Sequence, residues 1–406
     1  MDTNSGVNMT DIKIKNRSLI LEILKSENLS RKDISETIGL TPAAVTILVN
    51  EMIQEGILME RGQIEGENKV GRKKVLIELV KEFKYVIGIN IEREKIDIGI
   101  ADLKYKFSKF TQLELKADID VEKLMDMIYN QCITLMWDMD LSKNDILGVG
   151  VGIVGSVDQE NGISKHAYGL WRKKVNIKKI LGAKFNRPVI VENNVRALAM
   201  AEIECTMHKN IDNMIFIKFG PGIGSAIVLN KRLYYGTNNS AGEMGHMLMN
   251  PDGEECRCGQ KGCLETVASI GTIVNNVKID FNTVNMPVLN ELCFQEKENI
   301  NADNILEAYD KKDIEVRKIV DKALAFLSIG IVNIYKIYDP KKIILYSDFF
   351  KQQEIINKLI SEINKLASNS NIGDSLELSS LDSNRSIGGV AIGLNEFFYK
   401  TGGYIA

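Results

Sequence analysis

Three helical stripes follow one another at the start of the chain. In residues 14–25, Leu19, Ile20, Ile23 and Leu24 fall on one face, as the 3.6-residue period requires of a half-buried helix. Ser30 stands where it would cap a second helix over residues 31–38. Gly39 breaks that helix, Thr41 caps again, and Pro42 suits the first position of a third. The third helix runs to about Glu55, and its Val45, Leu48, Val49, Met52 and Ile53 keep the i, i+3, i+4, i+7, i+8 spacing of a buried stripe. Gly56 ends it. Residues 57–78 then read as a two-stranded ribbon with a polar tip ending in Gly71-Arg72-Lys73-Lys74. Three helices and a ribbon in this order predict an N-terminal winged helix-turn-helix.

From Tyr85 the pattern turns α/β. Residues 86–90, 96–103 and 107–115 read as a meander of three strands, followed by a helix at 121–139 and a buried strand at 146–153. A strand at 189–191 runs directly into a helix at 195–204. The theme then recurs: strands at 214–219 and 225–229 flank a Gly-rich turn and continue at 233–235. This is a weak internal duplication, and each half carries a hairpin whose turn is able to hold a phosphate. A long helix at 313–338, a strand at 342–346 and a last helix at 386–399 complete the chain. The expected organisation is a head at 1–80, one α/β lobe from 81–194 with 388–406, and a second lobe at 195–387.

Composition narrows the class. Of the 406 residues, 45% are hydrophobic and 26% charged, too apolar for disorder and too long for one compact domain. The formal charge of −3 gives no global basic field. No uninterrupted apolar run reaches bilayer length, and residues 1–10 have no apolar core of a secretory signal. A cytoplasmic protein without membrane contact is expected. Six Cys are too few for a disulfide framework. Cys132, Cys205 and Cys293 read as buried small apolar residues, and no role is assigned to His166 or His208.

On the third helix, Ala43, Thr46, Ile47 and Asn50 lie opposite the buried stripe. They are small or polar residues able to enter a major groove, with Asn50 able to pair with adenine. Residues 1–80 carry 11 Lys or Arg against 12 Asp or Glu, which works against strong phosphate binding. The basic residues are nevertheless grouped: Arg31 and Lys32 open the second helix, and Arg72, Lys73 and Lys74 occupy the ribbon tip. Operator DNA is the expected partner, and an ordinary three-helix protein-contact module is the alternative.

The sharpest local signal is Gly242-Glu243-Met244-Gly245-His246 followed by Cys256-Arg257-Cys258-Gly259-Gln260-Lys261-Gly262-Cys263-Leu264-Glu265. Three thiolates and an imidazole satisfy tetrahedral zinc. Four protein ligands, His246, Cys256, Cys258 and Cys263, leave no open position, so the zinc is expected to be structural.

This segment resembles the signature of the ROK family, which groups bacterial sugar kinases with sugar-responsive transcriptional repressors. The match to Gly-Glu-x-Gly-His and Cys-x-Cys-Gly-x-x-Gly-Cys-Leu-Glu is almost complete. Gly220-Pro221-Gly222-Ile223-Gly224 matches the family's Gly-rich hairpin, with Pro221 where Thr is common, and Val191-Glu192-Asn193-Asn194 matches the segment of the kinase base. With its N-terminal head, the chain looks like the xylose and N-acetylglucosamine repressor branch. The resemblance implies an actin-like, hexokinase-like α/β fold of two lobes. It also implies a sugar site in the cleft, with Asn193, Asn194, Glu243, His246 and Glu265 meeting hydroxyls, His246 also serving the zinc.

The kinase pattern is broken in three places. The catalytic Asp falls at Asn194, and an amide cannot accept the hydroxyl proton. The first phosphate hairpin reads Asn90-Ile91-Glu92-Arg93-Glu94 in place of Asp-x-Gly-Gly-Thr, and Tyr346-Ser347-Asp348 replaces consecutive glycines near the nucleotide. The Asn that often precedes Leu170 in the family is also missing from Ala167-Tyr168-Gly169-Leu170-Trp171. The expectation is a non-enzymatic repressor of carbohydrate-utilisation genes, acting as a homodimer or homotetramer, in which the sugar-bound closed state pulls the paired heads off operator spacing. Two rivals stand beside it: a sugar kinase with an appended DNA-binding module, and a regulator controlled by a protein partner.

Overall fold

The structure, a computed structural model, describes residues 8–62, 74–115, 119–206, 208, 211–368, 370–382 and 384–405. The chain divides into two compact units, Met1–Ala201 with Ser383–Ala406, and Glu202–Asp382.

The first unit opens with α1 (Met9–Leu24), β1 (Leu29–Ser30), α2 (Arg31–Ile38), α3 (Pro42–Gln54), β2 (Leu58–Arg61) and β3 (Leu76–Leu79). Each helix has the cap its sequence offers. Asn8 accepts from the Asp11 amide, Ser30 and Asp33 form a reciprocal capping box, and Thr41 accepts from the Ala44 amide ahead of Pro42. The strands pair antiparallel in the order β1-β3-β2, so the expected ribbon gains a third, two-residue strand from the α1–α2 connection. Val45, Leu48, Val49 and Met52 of α3 are buried with Ile34, Ile57, Leu58, Ile77 and Leu79. In α1 the buried stripe is Arg17, Ile20, Leu21 and Leu24, while Leu19 is exposed. The register differs from the sequence expectation because a buried arginine stands where a hydrophobe would have marked the face.

The α/β part follows with β4 (Tyr85–Ile91), β5 (Lys95–Asp102), β6 (Phe107–Glu114), α4 (Val121–Trp137) and β7 (Ile146–Ile153). Next come three short strands, β8 (Ser156–Asp158), β9 (Ile163–His166) and β10 (Val175–Asn176), which form a small antiparallel sheet. The segment ends with α5 (Ile177–Phe185), β11 (Val189–Asn193) and α6 (Asn194–Cys205). The main sheet has the order β11-β7-β4-β5-β6, with β11, β7 and β4 parallel and β4, β5 and β6 antiparallel. One face packs Ile87, Ile89, Ile98, Val149 and Val151 against Leu124, Ile128 and Cys132 of α4.

The second unit holds β12 (Met214–Phe219), β13 (Ile223–Leu229), β14 (Arg232–Tyr234), α7 (Leu264–Ala268), α8 (Ile270–Asp280), α9 (Pro287–Leu292), α10 (Ala302–Asp310), α11 (Ile314–Tyr338), β15 (Lys342–Tyr346), α12 (Gln353–Leu366) and β16 (Leu376–Leu378). Its sheet order is β14-β13-β12-β15-β16, antiparallel at β14-β13-β12 and parallel at β12-β15-β16. This repeats, strand for strand, the order and sense of β6-β5-β4-β7-β11, so the duplication read from the sequence is a duplication of topology. Phe219, Leu324, Leu327, Ile343, Leu345, Phe349 and Phe350 belong to its core.

The chain returns to the first unit through α13 (Ser386–Leu394), which continues as a π-helical turn at Asn395–Tyr399. Its closeness to β7 depends on glycine. A Cβ on Gly150 would lie 1.9 Å from the Gly389 carbonyl oxygen, and one on Gly389 would lie 2.4 Å from that of Gly150. Beyond the turn the chain reaches α1. Ser18 Oγ donates to the Tyr399 carbonyl, the Tyr399 ring stacks on Tyr105 at 5.9 Å, and Arg17 lies over the Tyr404 ring at 4.0 Å. No helix among the described residues is long and apolar enough to cross a membrane.

Candidate functional site

In the second unit, the loops after β14 bring His246, Cys256, Cys258 and Cys263 together, with their ligand atoms all within 4.8 Å of one another. His246 Nδ1 lies 3.6 Å from Cys256 Sγ, and Cys258 Sγ lies 3.7 Å from Cys263 Sγ. Zinc bonds of about 2.3 Å to sulfur and about 2.0 Å to nitrogen separate tetrahedral ligands by about 3.5–3.8 Å, so the donors already stand near tetrahedral edges. Burial pushes the Cys263 thiol up to about 12 and raises Cys256 in the same sense. Three sulfurs this close need a cation to become thiolates, and the donor set fits zinc. These four residues could hold a structural zinc ion, which would cross-link the loop at 256–263 to His246.

The neighbouring carboxylates are placed by the same loops. Glu243 Oε2 lies 3.9 Å from His246 Nε2, the ring nitrogen turned away from Cys256, and its side chain is half exposed. Glu265, at the start of α7, accepts from both sides: Arg257 Nη2 donates to Oε1 at 2.9 Å and the Ile223 amide to Oε2 at 3.0 Å. Glu265 therefore ties the cysteine loop, through the arginine between Cys256 and Cys258, to the Gly-rich turn before β13. Sequence reading named Glu265 but not Arg257, whose partner is eight positions away along an irregular loop.

In the first unit, Asn193 and Asn194 sit where β11 becomes α6. Asn193 Oδ1 accepts from the Val195 and Arg196 amides, capping the helix, and its Nδ2 donates to the Gly155 carbonyl at 2.9 Å. Buried Asn194 donates from Nδ2 to Glu92 Oε1 at 3.2 Å. Asn90 donates to the same oxygen at 3.3 Å, and Arg385, at the N-terminus of α13, donates to Glu92 Oε2. The hairpin that the kinase pattern reserves for phosphate thus holds a carboxylate already met by two amides and a guanidinium. Asn194 is an amide and cannot take up a hydroxyl proton, and Glu92 meets donors on both oxygens.

On the head, Ala43, Thr46, Ile47 and Asn50 are all exposed along α3, and Ile47 is 60% exposed. Thr46 Oγ1 donates to the Pro42 carbonyl, which leaves its methyl for outside contact. Lys32 is solvated, with only a 3.6 Å approach to Glu36. Arg31 is engaged by Asn50 and Glu60, and Lys74 pairs with Asp33 at 2.9 Å. Arg72 and Lys73 lie outside the described residues.

One expectation about isolated residues needs revision. Cys205, the last residue of α6, is exposed, while Cys132 and Cys293 are buried. His208, left without a role, is buried between two carboxylates of the second unit: Nδ1 lies 2.6 Å from Glu202 Oε1 and Nε2 2.8 Å from Glu377 Oε2. A lone histidine in a loop carries no sequence signal for a partner such as Glu377, 169 positions away.

Comparison with known proteins follows this geometry. The model of the ROK family matches residues 86–395. The xylose repressor of Bacillus subtilis (strain 168) is 29% identical over 370 residues, covering 90% of each chain. A glucokinase of Halalkalibacterium halodurans is 30% identical over 222 residues, 54% of this chain and 67% of the enzyme. Among solved structures, a ROK family transcriptional regulator described as a homologue of the E. coli MLC protein superposes with a TM-score of 0.79 at 22% identity, over 96% of this chain and 98% of the other.

Proposed function

The chain belongs to the ROK family, and from that membership we propose that it is a sugar-responsive transcriptional repressor of carbohydrate-utilisation genes and not an enzyme. The observation that carries this reading is the extent of the similarity to a xylose repressor, which covers 90% of both chains, where the glucokinase covers 54%. The Glu92 cluster supports it independently: an amide at Asn194 and a paired carboxylate in the phosphate hairpin suit neither proton abstraction nor triphosphate binding.

Residues 1–80 act as a winged helix-turn-helix. Ala43, Thr46, Ile47 and Asn50 of α3 face the major groove, and Lys32, Lys74 and the basic tip with Arg72 and Lys73 face phosphates. A dimer or tetramer doubles these contacts, which matters for a head of balanced charge. In the second unit, Glu243, His246 and Glu265 offer directional acceptors and a ring nitrogen to sugar hydroxyls. In the first unit, Asn193 and Asn194 are the corresponding assignments. Zinc, when bound, fixes the loop that carries His246 and, through Arg257, the orientation of Glu265. Regulation requires that sugar bind one arrangement of the protein better than another. The protein works in the cytoplasm.

The test is a fluorescence-anisotropy titration of the full chain on a duplex selected from random sequence, repeated across salt concentrations and a panel of pentoses, hexoses and amino sugars. A steep salt dependence and a shift of affinity by at least one sugar are expected. Tight operator binding that no sugar alters removes the effector assignment and favours a protein signal. Phosphorylation of any sugar in the panel with ATP overturns the non-enzymatic reading.

A further inference from the structure

Arg31 and Lys32 open the same helix, yet the structure treats them differently. The Lys32 side chain is 75% exposed, as suits a charge that meets a phosphate. The Arg31 side chain is 24% exposed and engaged at both ends of its fork: Nη1 lies 2.8 Å from Glu60 Oε1 on β2, and Nη2 donates to Asn50 Oδ1 on α3 at 2.7 Å. A guanidinium has donors only, so the atom of Asn50 that faces it is the oxygen, and the amide NH2 is turned the other way. Asn50 is exposed on the α3 face that also carries Ala43, Thr46 and Ile47. Its amide orientation is therefore imposed from behind by an arginine which is itself braced by a strand.

We propose that Arg31 is a positioning residue that sets the base preference of Asn50, and is not a phosphate contact. This rests on the DNA-binding reading above and corrects the place of one residue within it. With Oδ1 held, Nδ2 is the group presented outward. It requires an acceptor on the base edge: the N7 of a purine, O6 of guanine or O4 of thymine. An Asn50 free to flip would accept as readily as donate and would discriminate less. Glu60 belongs to the same device, because it fixes the guanidinium that fixes the amide.

The experiment is selection of duplexes from a random library by the full-length wild type and by Arg31→Ala, Arg31→Lys, Asn50→Ala and Arg31→Ala/Asn50→Ala, each followed by a salt titration on the wild-type consensus. Arg31→Ala is expected to relax preference at one base pair per half-site, roughly fivefold, the worth of one hydrogen bond. It should be the base pair relaxed by Asn50→Ala, and the double variant should be no more relaxed than Asn50→Ala alone. The salt slope should stay unchanged. Arg31→Lys keeps the charge and the helix but not the fork, so it should behave like Arg31→Ala. If Arg31→Lys matches the wild type, or if Arg31→Ala lowers the salt slope by about one with its sequence preference intact, Arg31 is a phosphate contact and the proposal is wrong. If the wild type selects no sequence at all, the DNA-binding reading falls, and this assignment with it.

Discussion

Arg17 Nε, on the first helix, donates to the carbonyl oxygen of Gly402 at 2.7 Å, across 385 positions of sequence. The rest of that guanidinium meets Glu55 at the end of α3, with Nη1 2.8 Å from Oε1 and Nη2 on Oε2, and Arg17 is fully buried. One side chain thus joins α1, α3 and the tail that follows α13. Glu55→Ala should leave this charge buried with half its partners gone. Because Glu55 is 39% exposed, the loss is expected at about 2 kcal/mol, below the roughly 3–5 kcal/mol of a fully buried pair. Gly402 has a φ of +65°, and a Cβ there would meet the Ile14 carbonyl at 2.8 Å, so Gly402→Ala should have a similar effect through the tail. Urea unfolding followed by amide exchange in α1 and α3 measures both.

The head should be sensitive to acid. The Arg17 fork holds the Glu55 carboxyl below its usual range, and Lys74, then Ser30, do the same for Asp33. A carboxyl lowered by folding contributes stability that is fully present above its unfolded value of about 4 and is lost as pH falls through its folded value. Lowering the pH from 6 to 3 should therefore weaken the head progressively below about pH 4, and Glu55→Gln combined with Asp33→Asn should flatten that dependence. Thermal midpoints against pH for the wild type and the double variant decide the matter.

Purified protein should carry about one zinc per chain. Chelation should release it, make three additional thiols reactive and lower the thermal midpoint. Cys258→Ser should do the same without chelator. Rebinding of zinc should release protons, since burial holds Cys256 and Cys263 as thiols in the free cluster. Metal analysis and thiol titration give this answer without any DNA assay.

Restoring an acid at Asn194 should not restore a kinase. The Asn194 amide donates to Glu92 Oε1, and Asn194→Asp replaces that donor with a second carboxylate at the same oxygen. The expected result is destabilisation by about 1–2 kcal/mol above pH 6, relieved as the pair takes up a shared proton at lower pH, with no sugar phosphorylation. Unfolding at pH 5 and pH 8, with a coupled kinase assay, tests both halves.

Which features were legible in the sequence follows from how each is encoded. Caps and periodic stripes are local, so α2 and α3, the meander and both hairpins fell where expected, and the zinc ligands were readable because three lie within eight residues. Arg17 hid the face of α1, since a buried cation looks polar in any pattern. Leu29 and Ser30 form a strand only because β3 is there to pair with it. Arg257, Arg385 and His208 take their meaning from partners in other elements. The pairing of Glu92 with Arg385, 293 positions apart, has no local trace, although the sequence did show that the glycines of the phosphate hairpin were gone.

The clasp between Arg17 and Gly402 also has a timetable. During synthesis the α1 end emerges first, and at about 5–20 residues per second a ribosome needs roughly 20–80 s to make the 385 positions that separate the two partners. For that interval the Gly402 carbonyl is missing, and Glu55 is the partner of the Arg17 guanidinium that has already been made. The three helices can fold at the outset, but their clasp onto the tail closes only after α13 has been made.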